Sequence, residues 1–166
     1  MCYIPLALVR WQYYKRTGAK WMAEKAAEEG VHCLASGLCF KVVTQVDAAG
    51  GKSPRAGDQS KVTYAGTLRT GEAFDSGTTS FAPNQVIKGW TEMLQLMCAG
   101  DKVETYIPYD LAYGEHGSPP KIPPNSPLQF EIEIHEVFCE DCKPCDEARK
   151  ELAEKIAEGA AKKEEL

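Results

Sequence analysis

The sequence has no apolar run long enough to cross a membrane, and it has no excess of basic charge. Its 166 residues carry 19 Lys and Arg against 24 Asp and Glu, which gives a net charge of -5. We therefore expect no transmembrane segment, and we exclude nucleic-acid binding through a general basic surface. With only three histidines, no Ser–His–Asp arrangement is apparent, so the sequence does not indicate a nucleophilic catalyst.

The sequence also lacks a recognisable secretion signal. The apolar run over residues 3–9 is very short, and neither a preceding basic residue nor a small-residue cleavage pattern accompanies it. Seven cysteines are an odd number, so at least one thiol has no intrachain disulfide partner, which favours a reducing compartment. We expect a cytoplasmic protein. The endoplasmic reticulum or another organelle is the alternative if the natural chain begins earlier, since the last four residues, 163–166, resemble a KDEL-type retrieval signal.

Hydrophobic spacing predicts a helix towards each end of the chain and strands between them. Helices are predicted over 17–29, 84–97 and 144–165. Strands are predicted over 38–46, 61–68, 73–75, 102–107 and 128–137. Gly and Pro mark loops over 47–58 and 108–127, and 76–82 is predicted to be a short connection. The chain thus divides into an N-terminal helical extension (1–33), a central domain (34–138), and a Cys-rich turn with a charged helix (139–166).

Both extensions have features that the central domain does not need. The first carries Trp11, Tyr13 and Tyr14 among basic residues and Trp21 a little further on. Such a segment could pack on its own domain, on a second copy, on another protein or on a membrane surface. The last helix has a narrow apolar row, so it is either solvated or docked by a thin stripe.

Three cysteines, Cys139, Cys142 and Cys145, follow each other at CxxCxxC spacing. Two cysteines at CxxC spacing can bind zinc or exchange disulfides. A zinc site needs a fourth ligand, and the candidates, which have no diagnostic spacing, are His32, Cys33, Cys39 and His135. A disulfide, or free thiols at the start of a helix, is the plainer interpretation, and we assign no metal.

The central domain is identified by four long strings. They are VTYAGTLRTGEAFDS (62–76), NQVIKGWTEMLQLMCAGDK (84–102), YIPYDLAYG (106–114) and KIPPNSPLQFEIEIHEV (121–137). In this order and spacing they resemble the FKBP-type peptidyl-prolyl cis-trans isomerases. The preceding AEKAAEEGVHCLASGLCFKVV is similar to the macrophage-infectivity-potentiator branch, where a helix leads into the first strand. The resemblance implies an α+β fold, an antiparallel β-sheet wrapped around a short α-helix, here with N- and C-terminal helical extensions.

The resemblance also implies which residues form the site. Without it, scattered aromatic residues are as readily explained as core. The family's catalytic pocket falls on Tyr64, Phe74, Asp75, Tyr113 and Phe130, and its substrate-binding residues fall on Phe81, Val86, Ile87, Trp90 and Ile122. In this family Trp90 would form the floor of the pocket. The Ile87 backbone and the Tyr113 hydroxyl would donate hydrogen bonds to the ligand, and Asp75 would lie at the edge.

Some positions depart from the family pattern. The connection between Asp75 and Phe81 is short, and Thr79 or Ser80 lies where an aromatic residue is common. Ser118 and Lys121 occupy positions where His and an aliphatic residue are often found. These departures bear on macrolide affinity and on substrate choice, and they leave the pocket floor unchanged.

The resemblance implies a rotamase that assists protein folding, in the manner of a chaperone, by isomerising X–Pro bonds in polypeptide substrates. It needs no cofactor, and a macrolide ligand and a homodimer formed through the N-terminal helix are further implied partners. The alternative is an FKBP-fold binding or structural subunit, anchored in a larger assembly by its flanking helices. A thiol or zinc module at Cys139, Cys142 and Cys145 is a third hypothesis.

Overall fold

The computed structural model describes residues 5–165, and its centre is a six-stranded antiparallel sheet. Across the sheet, the strands lie in the order β1 (Val31–Cys33), β2 (Cys39–Thr44), β6 (Lys102–Ile107), β7 (Leu128–Phe138), β4 (Gln59–Leu68) and β5 (Ala73–Phe81). A small second sheet pairs β3 (Lys52–Ser53) with β8 (Lys143–Pro144). The helices are α1 (Leu6–Ala26), α2 (Lys88–Leu94) and α3 (Cys145–Glu164). The expected α+β architecture with a helix at each end is confirmed.

The core lies between the sheet and α2. Along β7, Leu128, Phe130, Ile132 and Ile134 are buried while the residues between them are more exposed, as the alternation in the sequence predicts. They pack against buried residues of α2, among them Trp90. A Cβ atom at Gly89 would lie 2.6 Å from the Ile107 side chain, so this glycine lets α2 sit directly on β6.

The prediction of a connection over 76–82 is wrong, because β5 runs on to Phe81. Its backbone pairs with β4 in register, with Thr78 opposite Thr63 and Ser80 opposite Lys61. The segment has no hydrophobic alternation because β5 is the edge strand of the sheet and residues 75–80 are exposed. The loop predicted over 47–58 likewise contains the short strand β3.

Two helices differ in extent from their predictions. Helix α2 begins at Lys88 rather than at residue 84, because Val86 and Ile87 have extended backbone with ψ of 175° and 153°. Their apolar side chains matched the helical spacing although they lie outside the helix. Helix α1 begins at Leu6 rather than at residue 17 and ends at Ala26, and Gly30 follows with a φ of 80°.

Helix α3 is docked on the domain rather than solvated. Its Ala148 and Leu152 are buried, and Arg149 forms an ion pair with Asp101, whose side chain is 3% exposed, at 2.6 Å. Gly159 approaches the backbone of Cys33 so closely that a Cβ atom there would collide with it. The domain boundary drawn at residue 138 stays a prediction, and the segment beyond it packs against the domain along most of its length.

All six described cysteines lie in disulfides, which pair Cys33 with Cys39, Cys98 with Cys145, and Cys139 with Cys142. The seventh, Cys2, lies outside the described residues, as do part of the apolar run 3–9 and the final residue of the retrieval-like tail. Among residues 5–165, no helix is long and apolar enough to cross a membrane.

Candidate active site

A cleft of about 520 Å³ opens between α2, the β4–β5 hairpin and the loop that precedes β7. It is lined by Tyr64, Phe74, Asp75, Phe81, Gln85, Val86, Ile87, Trp90, Tyr113 and Phe130. Nine of the ten residues predicted from the sequence therefore meet in one cavity. The exception is Ile122, which is 4% exposed and packs into the core beside the cavity. The individual roles of these residues stay predictions.

Trp90 lies at the centre of the aromatic residues. Its ring meets those of Tyr64, Phe81 and Phe130 edge to face, with centroid separations of 5.3, 5.7 and 5.2 Å. These are favourable geometries for aromatic pairs. Trp90 is the third residue of α2. It is 4% exposed because its side chain faces the sheet. This position agrees with the pocket floor that the sequence predicts.

One wall is formed by Phe74 and Phe130, whose rings meet edge to face at 5.4 Å. Both are buried, and both rings lie over Gly66 of β4. A Cβ atom at Gly66 would come within 2.7 Å of each ring, so only glycine lets the pair close over the strand. Sequence reasoning missed this residue although it lies two positions after Tyr64 in the first string, because a glycine has no side chain that could indicate a site.

The polar groups of the cleft lie at its edge. The Tyr64 hydroxyl donates a hydrogen bond to Oδ2 of Asp75 at 3.1 Å, while Tyr113 is 43% exposed at the mouth. Burial, and then the hydrogen bond to Asp75, raise the pKa of Tyr64 above its usual value of 10. The hydroxyl therefore stays protonated, as a hydrogen-bond donor, throughout the physiological pH range.

Gln85 is a second residue that sequence reasoning missed. Its side-chain oxygen accepts hydrogen bonds from the Ala82 backbone at 3.2 Å and from Gln59 at 3.0 Å. It thereby links the end of β5 to the short turn that carries Val86 and Ile87 into the cleft. The motif NQVIKGW contained this residue, but an amide side chain has no distinct chemical signal in sequence.

The residues set apart as departures lie around the mouth. Lys121 donates a hydrogen bond from Nζ to the Phe74 carbonyl at 3.2 Å, so its cation lies at the outer side of the wall. Ser118 and Ile122 form an isolated backbone bridge in the loop before β7. His116 is exposed in the same loop. Thr79 and Ser80 lie in β5, exposed, on the strand itself rather than in a flap.

The cysteines that are candidate zinc ligands do not form one cluster of free thiols. Cys139 pairs with Cys142, while Cys145 pairs with Cys98, which was not among the candidate ligands. Sulfurs joined in a disulfide are not the thiolates that zinc requires. Within residues 5–165, no group of three or more His, Cys, Asp or Glu is placed to hold a metal ion.

A family model described as FKBP-type peptidyl-prolyl cis-trans isomerase matches residues 50–135. The chain is 46% identical over 127 residues to the macrophage infectivity potentiator of Trypanosoma cruzi, covering 74% of this chain and 64% of that protein. It is 42% identical over 134 residues to the FKBP-type 22 kDa peptidyl-prolyl cis-trans isomerase of Escherichia coli, covering 78% and 64%. The chain thus spans less than two thirds of the length of these relatives.

Solved structures agree with the sequence relatives. A peptidyl-prolyl cis-trans isomerase from Pseudomonas syringae superposes with a TM-score of 0.73 at 33% identity, covering 84% of this chain and all of that one. FkpA from Escherichia coli gives a TM-score of 0.71 at 34% identity, covering 84% and 65%. The similarity includes residues outside the stretch that the family model matches.

Proposed function

Because the chain belongs to the FKBP-type peptidyl-prolyl cis-trans isomerase family, we propose that it isomerises X–Pro bonds in polypeptide substrates and so assists protein folding. The single observation that carries the proposal is the aromatic cleft, in which nine family-predicted residues meet, Trp90 among them. The alternative of a purely structural subunit has no such observation in its favour.

Isomerisation of an X–Pro bond needs no acid, base or nucleophile. Rotation about an X–Pro bond is slow because it breaks amide resonance, against a barrier of ~18–20 kcal/mol. A catalyst must bind the twisted amide more tightly than the planar one. An acceleration of ten-thousand-fold needs about 5.5 kcal/mol of such differential binding.

The cleft is suited to this task. The twisted amide has a less polar carbonyl than the planar amide, so an apolar aromatic surface disfavours the planar ground state relative to it. Phe74, Trp90 and Phe130, each at most 8% exposed, supply that surface. We assign the hydrogen bonds to the substrate to the Tyr113 hydroxyl at the mouth and to the backbone of Ile87 just before α2.

A protease-coupled assay on a proline-containing peptide tests the proposal. The full chain should accelerate the slow cis-to-trans phase in proportion to its concentration, and a macrolide that fills the cleft should abolish the acceleration. A folded chain that leaves the slow phase unchanged would contradict the activity. Macrolide binding without isomerisation would favour a binding module.

We propose a homodimer formed through the first half of α1. Leu6 is 80% exposed, and Leu8, Val9 and Tyr13 are each 49% exposed on this helix. Together they form more apolar surface than a free monomer usually leaves in water. Contact between two copies would bury it.

We also propose that the protein matures in an oxidising compartment. Disulfides form and persist where thiols are not kept reduced. The three disulfides support this localisation over the cytoplasm, which the odd number of cysteines favoured. Alkylation of the native protein followed by mass spectrometry tests it. In protein isolated from its source, at most one of the seven cysteines should be labelled. Labels on all seven would indicate a reducing environment.

A further inference from the structure

We propose that the Cys139–Cys142 pair is a second active site, which exchanges disulfides with cysteine-containing unfolded polypeptides. The activity is separate from isomerisation, because none of the residues around this pair lines the aromatic cleft. It would act on the same class of client, since an unfolded chain exposes both its prolines and its cysteines.

The three disulfides differ in what they can do for the fold. Cys98 and Cys145 are 0% and 1% exposed, and their bond joins residues 47 positions apart, so it holds α3 on the domain. Cys139 and Cys142 are only three positions apart and half-buried. Stabilisation by a disulfide grows with the loop that it closes. The Cys139–Cys142 bond therefore constrains the unfolded chain least, and a purely structural role explains it poorly.

The second observation is an open cleft of about 440 Å³ beside this pair. It is bordered by Cys142 and by the loop around Gly50 and Gly51, while Cys139 lies outside it. This volume can take an extended stretch of polypeptide. Cys145 also borders the cleft but is 1% exposed, so the half-buried Cys142 is the sulfur that such a stretch would meet. The CxxC spacing is the one found in thiol–disulfide exchange motifs.

The charges around the cleft do not favour a client of one sign. Glu140 and Asp141 lie between the two cysteines, and Asp141 is paired with Arg55 at 3.3 Å. Lys143 follows Cys142 and is paired with Glu151 at 2.8 Å. Lys52 also lines the cleft. Acidic and basic groups are thus interspersed, which suits a site that accepts many unfolded sequences.

In the oxidising direction, a client thiolate attacks Sγ of Cys142. A bond forms between these sulfurs, the Cys139–Cys142 bond breaks, and Cys139 leaves as a thiolate that takes a proton from water. A second client thiolate then attacks the client sulfur of the mixed disulfide, which completes the client disulfide and releases Cys142. The CxxC pair gains the two electrons that the client loses, and a small-molecule disulfide such as oxidised glutathione regenerates it.

The test uses the full-length oxidised chain, with Cys2→Ser in every variant, and a fluorescent peptide carrying two thiols. With oxidised glutathione as the terminal oxidant, the protein should accelerate ring closure of the peptide. Cys139→Ser/Cys142→Ser should reduce the acceleration at least tenfold, while the matched Cys33→Ser/Cys39→Ser variant should stay within twofold. The folding control is prolyl isomerisation, measured on the same samples. Unchanged isomerisation by the Cys139/Cys142 variant is the expected result and would show that this variant is folded.

Single variants test which sulfur is attacked. Cys139→Ser should trap a mixed disulfide between Cys142 and a cystine-containing peptide, detected by its mass, and Cys142→Ser should trap at least tenfold less. The proposal is overturned if the chain gives no acceleration above glutathione alone. It is also overturned if the Cys139/Cys142 double variant keeps the activity, or if the Cys33/Cys39 variant loses as much.

Discussion

At the scale of single residues, the cleft depends on apolar contacts that exclude water more than on charge. Phe74 is 8% exposed, and its ring packs against that of Phe130. The Asp75 side chain, by contrast, is exposed at the edge of the cleft, where it accepts a hydrogen bond from the Tyr64 hydroxyl. No proton is transferred when an amide rotates, so the reaction does not need a general base. We expect Asp75 instead to orient the neighbouring Tyr64 hydroxyl, which donates a hydrogen bond to it.

Phe74→Ala should therefore lower kcat/KM by about tenfold or more, because it opens the wall of the cleft to water. Asp75→Asn keeps an oxygen that accepts the Tyr64 hydrogen bond and should cost less than about threefold. The protease-coupled assay measures both, with circular dichroism as the control for folding. Greater damage from Asp75→Asn than from Phe74→Ala would point to acid–base participation.

The pH dependence follows from the residues that line the cleft. None of the ten is His, Cys or Lys, and the pKa of Tyr64 is raised further from neutrality. Activity should stay flat between about pH 5.5 and 8. A bell-shaped profile over that range would contradict the mechanism.

The raised pKa of Tyr64 also predicts one contribution to stability that is lost at alkaline pH. The folded state holds the hydroxyl proton more tightly than the unfolded state, so this contribution is complete below about pH 10 and is lost as the pH rises through the folded pKa. Denaturant titrations should show wild type losing more stability than Tyr64→Phe over that interval. Equal losses would mean that Tyr64 contributes no pH-dependent stability.

Trp90 provides an optical probe of the cleft. Its ring lines the cleft, where we expect it to form the floor, whereas Trp11 and Trp21 lie on α1, where Trp21 contacts Tyr106. Saturation with a macrolide should change the fluorescence, and Trp90→Phe should remove that change while the matched Trp21→Phe keeps it. If Trp90→Phe kept the full fluorescence change, the assignment of Trp90 to the floor of the cleft would be contradicted.

At the scale of elements, α3 is fixed by one buried ion pair in addition to its apolar stripe. Asp101 accepts two hydrogen bonds from Arg149, at 2.6 and 2.8 Å, and further hydrogen bonds from the backbone of Val46 and Cys98. Asp101 thus joins α3, the loop after β2 and the segment after α2 at one carboxylate. Removing the cation leaves that carboxylate buried without its partner.

Arg149→Met should consequently lower the free energy of unfolding by about 3 kcal/mol, measured by urea denaturation. The matched control is Lys102→Met, because the Lys102–Glu131 pair is more exposed and its loss should cost much less than the loss of the buried pair. If both variants lost the same amount, the buried pair would have no special role.

The elements also show where sequence reasoning is reliable. Strand β7 alternates from Leu128 to Ile134 because one of its faces is buried, and so the pattern located the strand to within one residue. Strand β5 has no apolar pattern since its residues 75–80 are exposed, and the sequence could not show it. The start of α2 was misplaced because Val86 and Ile87 serve the cleft, and disulfide pairing depends on three-dimensional distance, which spacing alone does not provide.

At the scale of the whole molecule, α1 leaves one apolar surface without a partner in the described chain. If two copies bury it, Leu6→Glu/Val9→Glu should convert the dimer to a monomer, since it places like charges in the contact. The control Lys20→Glu/Glu24→Lys changes exposed residues further along the same helix and should leave the dimer intact. Analytical ultracentrifugation measures both, and a monomeric wild type would remove the dimer.

The position of β7 in the sheet sets the order in which this protein can form during its own synthesis. Strand β7 is the last strand of the main sheet to leave the ribosome, yet it lies between β6 and β4. Among residues 5–165 it is the only strand that joins β1–β2–β6 to β4–β5. Until residue 138 has emerged, the nascent chain has two separate groups of strands and no Phe130 to complete the cleft. The complete main sheet, and with it the cleft, can therefore form only after the chain has been synthesised through the end of β7.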